Sequence, residues 1–269
     1  MPLDDRLDPD RIAGNLKTQR IGRAVVVHDR TSSTSDIAAA YAGRPANDGL
    51  VVFAEEQARG RGRTGATWCS GHGQSLLFSV LLLDCQLPGE LLSLAIAVGV
   101  AEALGQVGGH AARIKWPNDI MLAGRKLAGI LVESQRTDAG AAHIIGIGIN
   151  CHQDGLAFPA ELKEIATSID LATGTHCDRI TLARRVLASL DHWLARAIDD
   201  RRLVIETWNR LSTQRGQRVT LTYNRRTFTG NCIGVDPEKG LILQLDRGGV
   251  RMFDAAHTSI VKSSQQIAS

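Results

Sequence analysis

One segment constrains this chain more than any other: Gln57-Ala58-Arg59-Gly60-Arg61-Gly62-Arg63-Thr64-Gly65, set between two apolar runs at 49–55 and 74–83. The flanking runs are rich in Val, Leu and Phe and read as buried strands. The segment between them places three arginines and three glycines within seven residues, and neither type suits the middle of a buried strand. It must therefore emerge as a loop at the edge of a sheet. Forked arginine donors match carboxylate and phosphate oxygens, and glycine lets a ligand come close to the backbone. Such a loop is either a solvated basic turn or the seat of a substrate carrying a carboxylate and phosphates.

The rest of the chain supplies the frame. Residues 1–20 are polar and read as a loose tail or a short helix. A short strand at 23–28 leads into a helix at 33–41, opened by hydroxyls with Ser33 and Asp36 spaced as in a weak capping box. Leu, Ala and Val at helical spacing after Pro88 predict a core helix over 88–105. Short strands follow at 113–115 and 120–122, with Gly124 in a tight turn. A strand pair at 126–134 and 143–149 is joined by a polar loop at 135–140, and helices are expected at 178–197 and 201–214. Beyond Gly216 the texture changes to short strands at 218–223, 227–235, 241–245 and 250–253, the pattern of a small all-β barrel. The expected division is a tail at 1–20, a main domain at 21–213 and a small domain at 214–269.

A 43% hydrophobic content allows a sizeable core, and a net charge of +3 gives no general argument for nucleic-acid binding. The five cysteines, at 69, 85, 151, 177 and 232, show neither C-x-x-C pairing nor zinc spacing. That fits a reducing, cytoplasmic setting. The polar N-terminus has no apolar signal core, and no apolar stretch is long enough to span a bilayer.

Three further clusters carry chemistry. Lys115-Trp116-Pro117-Asn118-Asp119, with Lys126 beyond it, sets two lysines in an apolar strand pair, where each needs a partner or an exit to water. Asp119 serves equally as that partner or as a magnesium ligand. In Gly146-Ile147-Gly148-Ile149-Asn150 the glycines either let backbones pack closely or open space for a planar ring, with Asn150 supplying amide hydrogen bonds. Thr31-Ser32-Ser33-Thr34-Ser35 either caps a helix or binds a polar ligand group at its start. No H-E-x-x-H pair, G-x-S-x-G elbow or Walker P-loop occurs.

Together the motifs Ser33-Thr34-Ser35, Glu55-Glu56-Gln57, Gly60-Arg61-Gly62-Arg63-x-Gly65-x-x-Trp68, Lys115-Trp116-Pro117-Asn118-Asp119, Lys126-Leu127-Ala128-Gly129-Ile130-Leu131-Val132-Glu133 and Gly146-Ile147-Gly148-Ile149-Asn150 resemble, in order and spacing, the biotin protein ligase family (biotin–[acetyl-CoA-carboxylase] ligase). The resemblance implies an α+β fold: a mixed sheet packed with helices, as in class II synthetases, followed by a small SH3-like β-barrel. It implies that ATP activates biotin to biotinyl-5'-AMP, with Mg2+ as cofactor. Transfer then follows to a lysine of a biotin carboxyl carrier protein or the carrier domain of a carboxylase. It also implies residue roles. Ser33, Thr34, Ser35 and Gln57 would bind the ureido ring of biotin, and Gly129 and Leu131 would line its pocket. Arg61 and Lys126 would hold the carboxylate and α-phosphate, with Arg63 on the phosphates, so Arg61, Arg63 and Lys126 form the expected catalytic set. Trp68, Asn118, Asp119 and Asn150 would complete the ATP side, with Asp119 on the metal and Trp68 as an apolar anchor for a loop that orders on ligand binding.

Ser35 stands where many family members have asparagine, and Thr64 and Ala66 stand where more arginine is common. About twenty residues precede the matching region, too few for the winged helix of the repressor branch, so no operator binding is expected. The chain is expected to be a monomer or homodimer, away from membranes and DNA. A lipoate or octanoate ligase on the same scaffold would need a longer, more apolar pocket than Ser33, Thr34 and Gln57 provide. A nucleic-acid binder would rest on the arginines of 201–226, which lack interleaved aromatics.

Overall fold

The computed structural model describes residues 5–105, 111–137 and 140–261. The chain opens with α1 (Pro9–Ala13), β1 (Ala24–Thr31), α2 (Thr34–Ala40) and β2 (Leu50–Gln57). A small hairpin of β3 (Gly60–Arg61) and β4 (Thr67–Trp68) leads to β5 (Ser75–Leu83) and α3 (Gly89–Gly105). Then come β6 (Arg113–Lys115), β7 (Asp119–Leu122), β8 (Arg125–Thr137) and β9 (Gly140–Asn150). Helices α4 (Ile169–Thr173), α5 (Arg179–Asp199) and α6 (Arg201–Leu211) precede five strands: β10 (Arg218–Tyr223), β11 (Arg226–Asp236), β12 (Gly240–Leu245), β13 (Val250–Phe253) and β14 (Thr258–Ile260).

Seven strands form one sheet in the order β1-β2-β5-β9-β8-β7-β6. Only β1 and β2 run parallel; the other neighbours are antiparallel, so the sheet is mixed. Every residue of β5 is buried, the position a continuous apolar run takes when both faces of its sheet are covered. Helix α3 is apolar around its whole circumference and buries almost all of Leu91–Leu104, which makes it a central helix. It packs so closely on α5 that a Cβ at Gly99 would sit 3.1 Å from Leu190 Cδ2. The main core lies on this face of the sheet, where Val51, Phe53, Phe78, Val80, Ile145 and Ile147 meet α3 and α5. On the opposite face α2 covers a smaller cluster of Leu50, Val52, Leu81, Leu83, Ala142 and Ile144. The candidate site occupies the remainder of that second face.

Of the two readings of residues 1–20, the described part takes the helical one. Asp8 caps α1 by accepting from the Arg11 amide at 2.8 Å, and Leu7 and Ile12 are buried. The expected loop at 135–140 is corrected: β8 continues to Thr137, which pairs with Gly140, while residues 138–139 lie outside the described residues. Polar side chains are tolerated there because that strand end is exposed. The helix expected over 201–214 stops at Leu211. Thr213 N then donates to Ile114 O at 2.9 Å, and Gln214 clamps Trp116 by accepting from its amide at 2.6 Å and donating to its carbonyl at 3.3 Å.

The C-terminal strands form an antiparallel sheet in the order β13-β12-β11-β10-β14. Strand β14 was not anticipated. Val219, Leu221, Cys232, Leu241, Leu243 and Phe253 join the main core. No helix among the described residues is long and apolar enough to cross a membrane.

Candidate active site

The site grows from the register of four strands. Ser79 on β5 pairs with Gly146 on β9, which pairs with Leu131 on β8. Two residues along, Leu77, Gly148, Gly129 and Asp119 form the next row across β5, β9, β8 and β7. Side chains alternate along a strand, so these rows share a face and lie about 7 Å apart.

The first row carries hydroxyls. Ser79 Oγ lies 2.7 Å from Thr34 Oγ1 and 3.0 Å from Ser35 Oγ. Gln57 Oε1 accepts from Thr34 N at 2.7 Å and Thr34 Oγ1 at 3.0 Å. The capping box is not formed: Ser33 is the N-cap residue of α2 but makes no side-chain cap bond, and the Asp36 amide donates to the Ser33 carbonyl at 3.1 Å instead. All three hydroxyl residues, Ser33, Thr34 and Ser35, are buried. Gly146 is required here, since a Cβ would meet Ser35 Oγ at 2.9 Å.

The second row is a glycine floor. The indole of Trp68, from the hairpin, lies on it: Cβ atoms at Gly148 and Gly129 would fall 2.6 Å from Trp68 Cε2 and 2.9 Å from Trp68 Cζ3. Of the two readings of Gly148, close packing of backbones and room for a planar ring, its surroundings fit the second, with the protein's own Trp68 as occupant. Trp68 Nε1 is buried without a hydrogen-bond partner among the described residues, an arrangement that is costly unless something else accepts from it. We expect Gly148→Ala to lever the indole off the floor at a cost of about 1–3 kcal/mol in overpacking. A red-shifted tryptophan emission would report it; an unchanged spectrum would contradict the contact.

Charge gathers at the far end of this floor. Lys126 Nζ lies 2.5 Å from Asp119 Oδ1 and 5.7 Å from the centroid of the Trp68 ring, within cation–π range. The lysine thus finds the partner its apolar strand demanded. Asn118 fixes the turn before it, donating through Nδ2 to Ile130 O at 2.8 Å and accepting from Ile130 N at 3.0 Å. Asn150 is buried, donates to Thr167 O at 2.9 Å and accepts from Gln153 Nε2 at 3.2 Å.

The three basic residues expected to converge take different partners. Lys126 pairs with Asp119, whose charge also reaches Arg63. The Arg63 guanidinium donates to Ala255 O in the connection between β13 and β14. Burial lowers it from its ordinary value, while Glu90 and Asp119 pull the other way. Arg61 turns elsewhere, pairing with Asp36 and, at 3.1 Å, with Glu133 Oε2. The loop that carries both arginines is folded as the β3–β4 hairpin around a concavity of about 450 Å³ lined by Arg59, Arg61, Gly62 and Thr67.

Beside Arg63, burial and then Asp254 raise the Glu90 carboxyl, against the Ala255 amide at 2.9 Å and Arg63. The folded protein therefore holds this proton more tightly than the unfolded chain, and stability falls as pH rises through the folded-state value. Glu90→Gln keeps an acceptor for the Ala255 amide. It is expected to flatten the slope of melting temperature above the ordinary value of 4.5, as measured by melts across that range. An unaltered slope would count against the assignment.

The profile of the Biotin/lipoate A/B protein ligase family matches residues 27–150, the stretch that holds the hydroxyl row, the glycine floor, the hairpin and the Lys126–Asp119 pair. The chain is 33% identical over 258 residues to the bifunctional ligase/repressor BirA of Bacillus subtilis, covering 93% of this chain and 78% of that one. The chain belongs to the Biotin/lipoate A/B protein ligase family. Another family member, the biotin–[acetyl-CoA-carboxylase] ligase of Mycobacterium tuberculosis, is 34% identical over 200 residues, covering 70% of this chain and 72% of that one. The biotin protein ligase of Aquifex aeolicus, solved with biotin and ATP, superposes with a TM-score of 0.78 at 26% identity, covering 90% of this chain and all of that one.

Within this family framework, residue-by-residue reading missed Ser79, Glu133, Asp36 and Glu90. Ser79 left a signal: it is the one hydroxyl inside the apolar run 76–83, and a buried hydroxyl needs a partner. The acidic partners of Arg61 and Arg63 lie far away in sequence and left none.

Proposed function

We propose that this ligase activates biotin with ATP and transfers it to a lysine of a carrier protein, the biotin carboxyl carrier protein or the corresponding domain of acetyl-CoA carboxylase or a related carboxylase. The reading is carried by one observation: a lysine ammonium stands at the end of a two-glycine floor, one cross-strand row from a buried set of hydroxyls and an amide. This suits a compact polar ring with an acidic tail. In the first step a carboxylate oxygen attacks the α-phosphorus and pyrophosphate leaves. In the second the carrier amine attacks the acyl carbon, AMP leaves, and the amine gives up a proton. No enzyme group becomes covalently attached, so catalysis rests on positioning and on neutralising two anions that must meet.

Ser33, Thr34, Ser35 and Gln57 are proposed to hold the ring, with Ser79 orienting the hydroxyls, and Gly129 and Leu131 to line its seat. Lys126 and Arg61 meet the carboxylate and α-phosphate, Arg61 by exchanging Asp36 and Glu133 for the anions. Arg63 serves the phosphates, and Trp68 anchors the hairpin and offers its unpaired Nε1. Asn118 and Asn150, whose amides already donate to backbone carbonyls, hold the chain on the nucleotide side. Asp119 is the proposed magnesium ligand. One carboxylate beside substrate phosphates is a donor set magnesium accepts, and the bound ion supplies charge neutralisation there. We read the C-terminal sheet as the SH3-like domain, and the five free thiols fit a cytoplasmic setting. Calorimetric titration with biotin and with lipoate tests the assignment. Biotin is expected to bind and lipoate not to; tighter binding of lipoate would overturn it.

A further inference from the structure

A second polar cluster lies where the N-terminal segment meets the end of β9 and the start of α5. His152 follows β9, His176 precedes α5, and Asp5 comes from the segment before α1. One ligand-type atom from each of Asp5, His152 and His176 lies within 4.8 Å of the others. The two imidazoles are stacked, with centroids 4.5 Å apart and an interplanar angle of 14°. Both address the same atom through Nδ1: Asp170 Oδ2 is 2.8 Å from His152 and 3.2 Å from His176. Across the ring from Asp170, Asp5 Oδ2 lies 2.8 Å from His152 Nε2.

Two observations point to a cation. First, His152 has a carboxylate oxygen at 2.8 Å from each ring nitrogen, an arrangement in which one ring nitrogen is free to ligate an ion while a carboxylate orients the other. An ion held by Nε2 and Asp5 leaves Asp170 as the carboxylate that fixes ring orientation, the usual outer partner of a metal-bound histidine. Second, the cluster is rich in carboxylates. Asp5 and Glu55 share the guanidinium of Arg179, at 2.9 and 2.6 Å, while Asp170 is held by the two imidazoles and the Cys177 amide.

We propose that Asp5, His152 and His176 form a binding site for a divalent transition-metal ion, with Asp170 orienting both histidines. Two imidazoles and one carboxylate are the ligand chemistry of zinc in a tetrahedral site completed by water. Closing the set around zinc needs ligand atoms roughly 3.3 Å apart at ordinary Zn–N lengths. The His152–Asp5 contact, at 2.8 Å, would open by roughly 0.5 Å, and the half-exposed His176 side chain has room to swing in and complete the set. The ion would staple three distant segments beside Glu55, two residues from Gln57, and Cys151, next to Asn150. It thereby braces the sheet end without entering the reaction.

The test uses the whole chain, stripped of metal and titrated with Zn2+ and with Co2+. One equivalent is expected to bind, with a Co2+ spectrum of tetrahedral form that lacks sulfur charge transfer. His176→Ala is expected to weaken binding at least about tenfold, and Asp170→Asn by about 10–100-fold through the lost orientation. Asp119→Asn should leave it unchanged. Absence of stoichiometric binding, indifference to His176→Ala, loss with Asp119→Asn, or a sulfur charge-transfer band would each overturn the site.

Discussion

Replacing Lys126 with alanine is expected to slow biotinyl-adenylate formation by about 10²–10³-fold, the range lost when one preorganised charge-stabilising donor is removed. The loss should fall on kcat, since the ammonium acts where two anions meet rather than on the ring of biotin, which the hydroxyl row holds. The variant should fold. The backbone of Lys126 donates to Ile165 O at 2.8 Å and accepts from Thr167 N at 2.9 Å, and neither bond uses the side chain. Lys126→Arg should recover little, because a planar fork does not reproduce a compact ammonium seated 2.5 Å from Asp119. Pyrophosphate release and biotin titration on the same samples separate chemistry from binding. Near-normal pyrophosphate release by Lys126→Ala would remove Lys126 from the reaction.

Much of this site was legible because its parts are local. Lys126 and Asp119 sit on paired strands seven residues apart, so an apolar pattern with a lysine in it was enough to demand a nearby carboxylate. The glycines at 129, 146 and 148 were visible as breaks in strand texture, but which ring they admit depends on a hairpin more than sixty residues earlier in the chain. Where contacts are distant the sequence was silent. Arg61 was read as an anion ligand, and nothing near it in sequence announced Glu133, 72 residues away. Arg63 reaches Ala255 across 192 residues, a contact that exists only because the C-terminal sheet shares a core with the main body. The strand run-on to Thr137 and the early stop at Leu211 have a common cause: backbone pairing and clamping override side-chain polarity at element ends. The N-terminal segment was the least legible part, since everything that fixes it is distant in sequence: Asp5 meets Arg179 and His152, and the Leu7 amide meets Glu55.

That arginine carries the other large expectation. Arg179→Met is expected to destabilise the protein by about 3–5 kcal/mol, the cost of breaking a buried pair from one side, lowering the melting temperature on the order of 10 °C. Its guanidinium is almost wholly buried and bonds Glu55, which is buried to the same degree, and Asp5. Burial works against the charge, yet the bonds to Asp5 and Glu55 outweigh it and hold Arg179 above its ordinary value. Removing it leaves the Glu55 carboxylate with the Leu7 amide at 2.7 Å as its remaining described partner. The penalty should therefore track the orphaned charge rather than lost packing, since methionine refills most of the volume. Glu55→Gln still accepts from Leu7 and carries no charge, so the double variant Arg179→Met/Glu55→Gln should be more stable than Arg179→Met alone. If thermal melts show the two losses simply adding, the buried pair is not what fastens the N-terminal segment to β2. The path from Arg179 through Glu55 to Gln57 would then carry no energy.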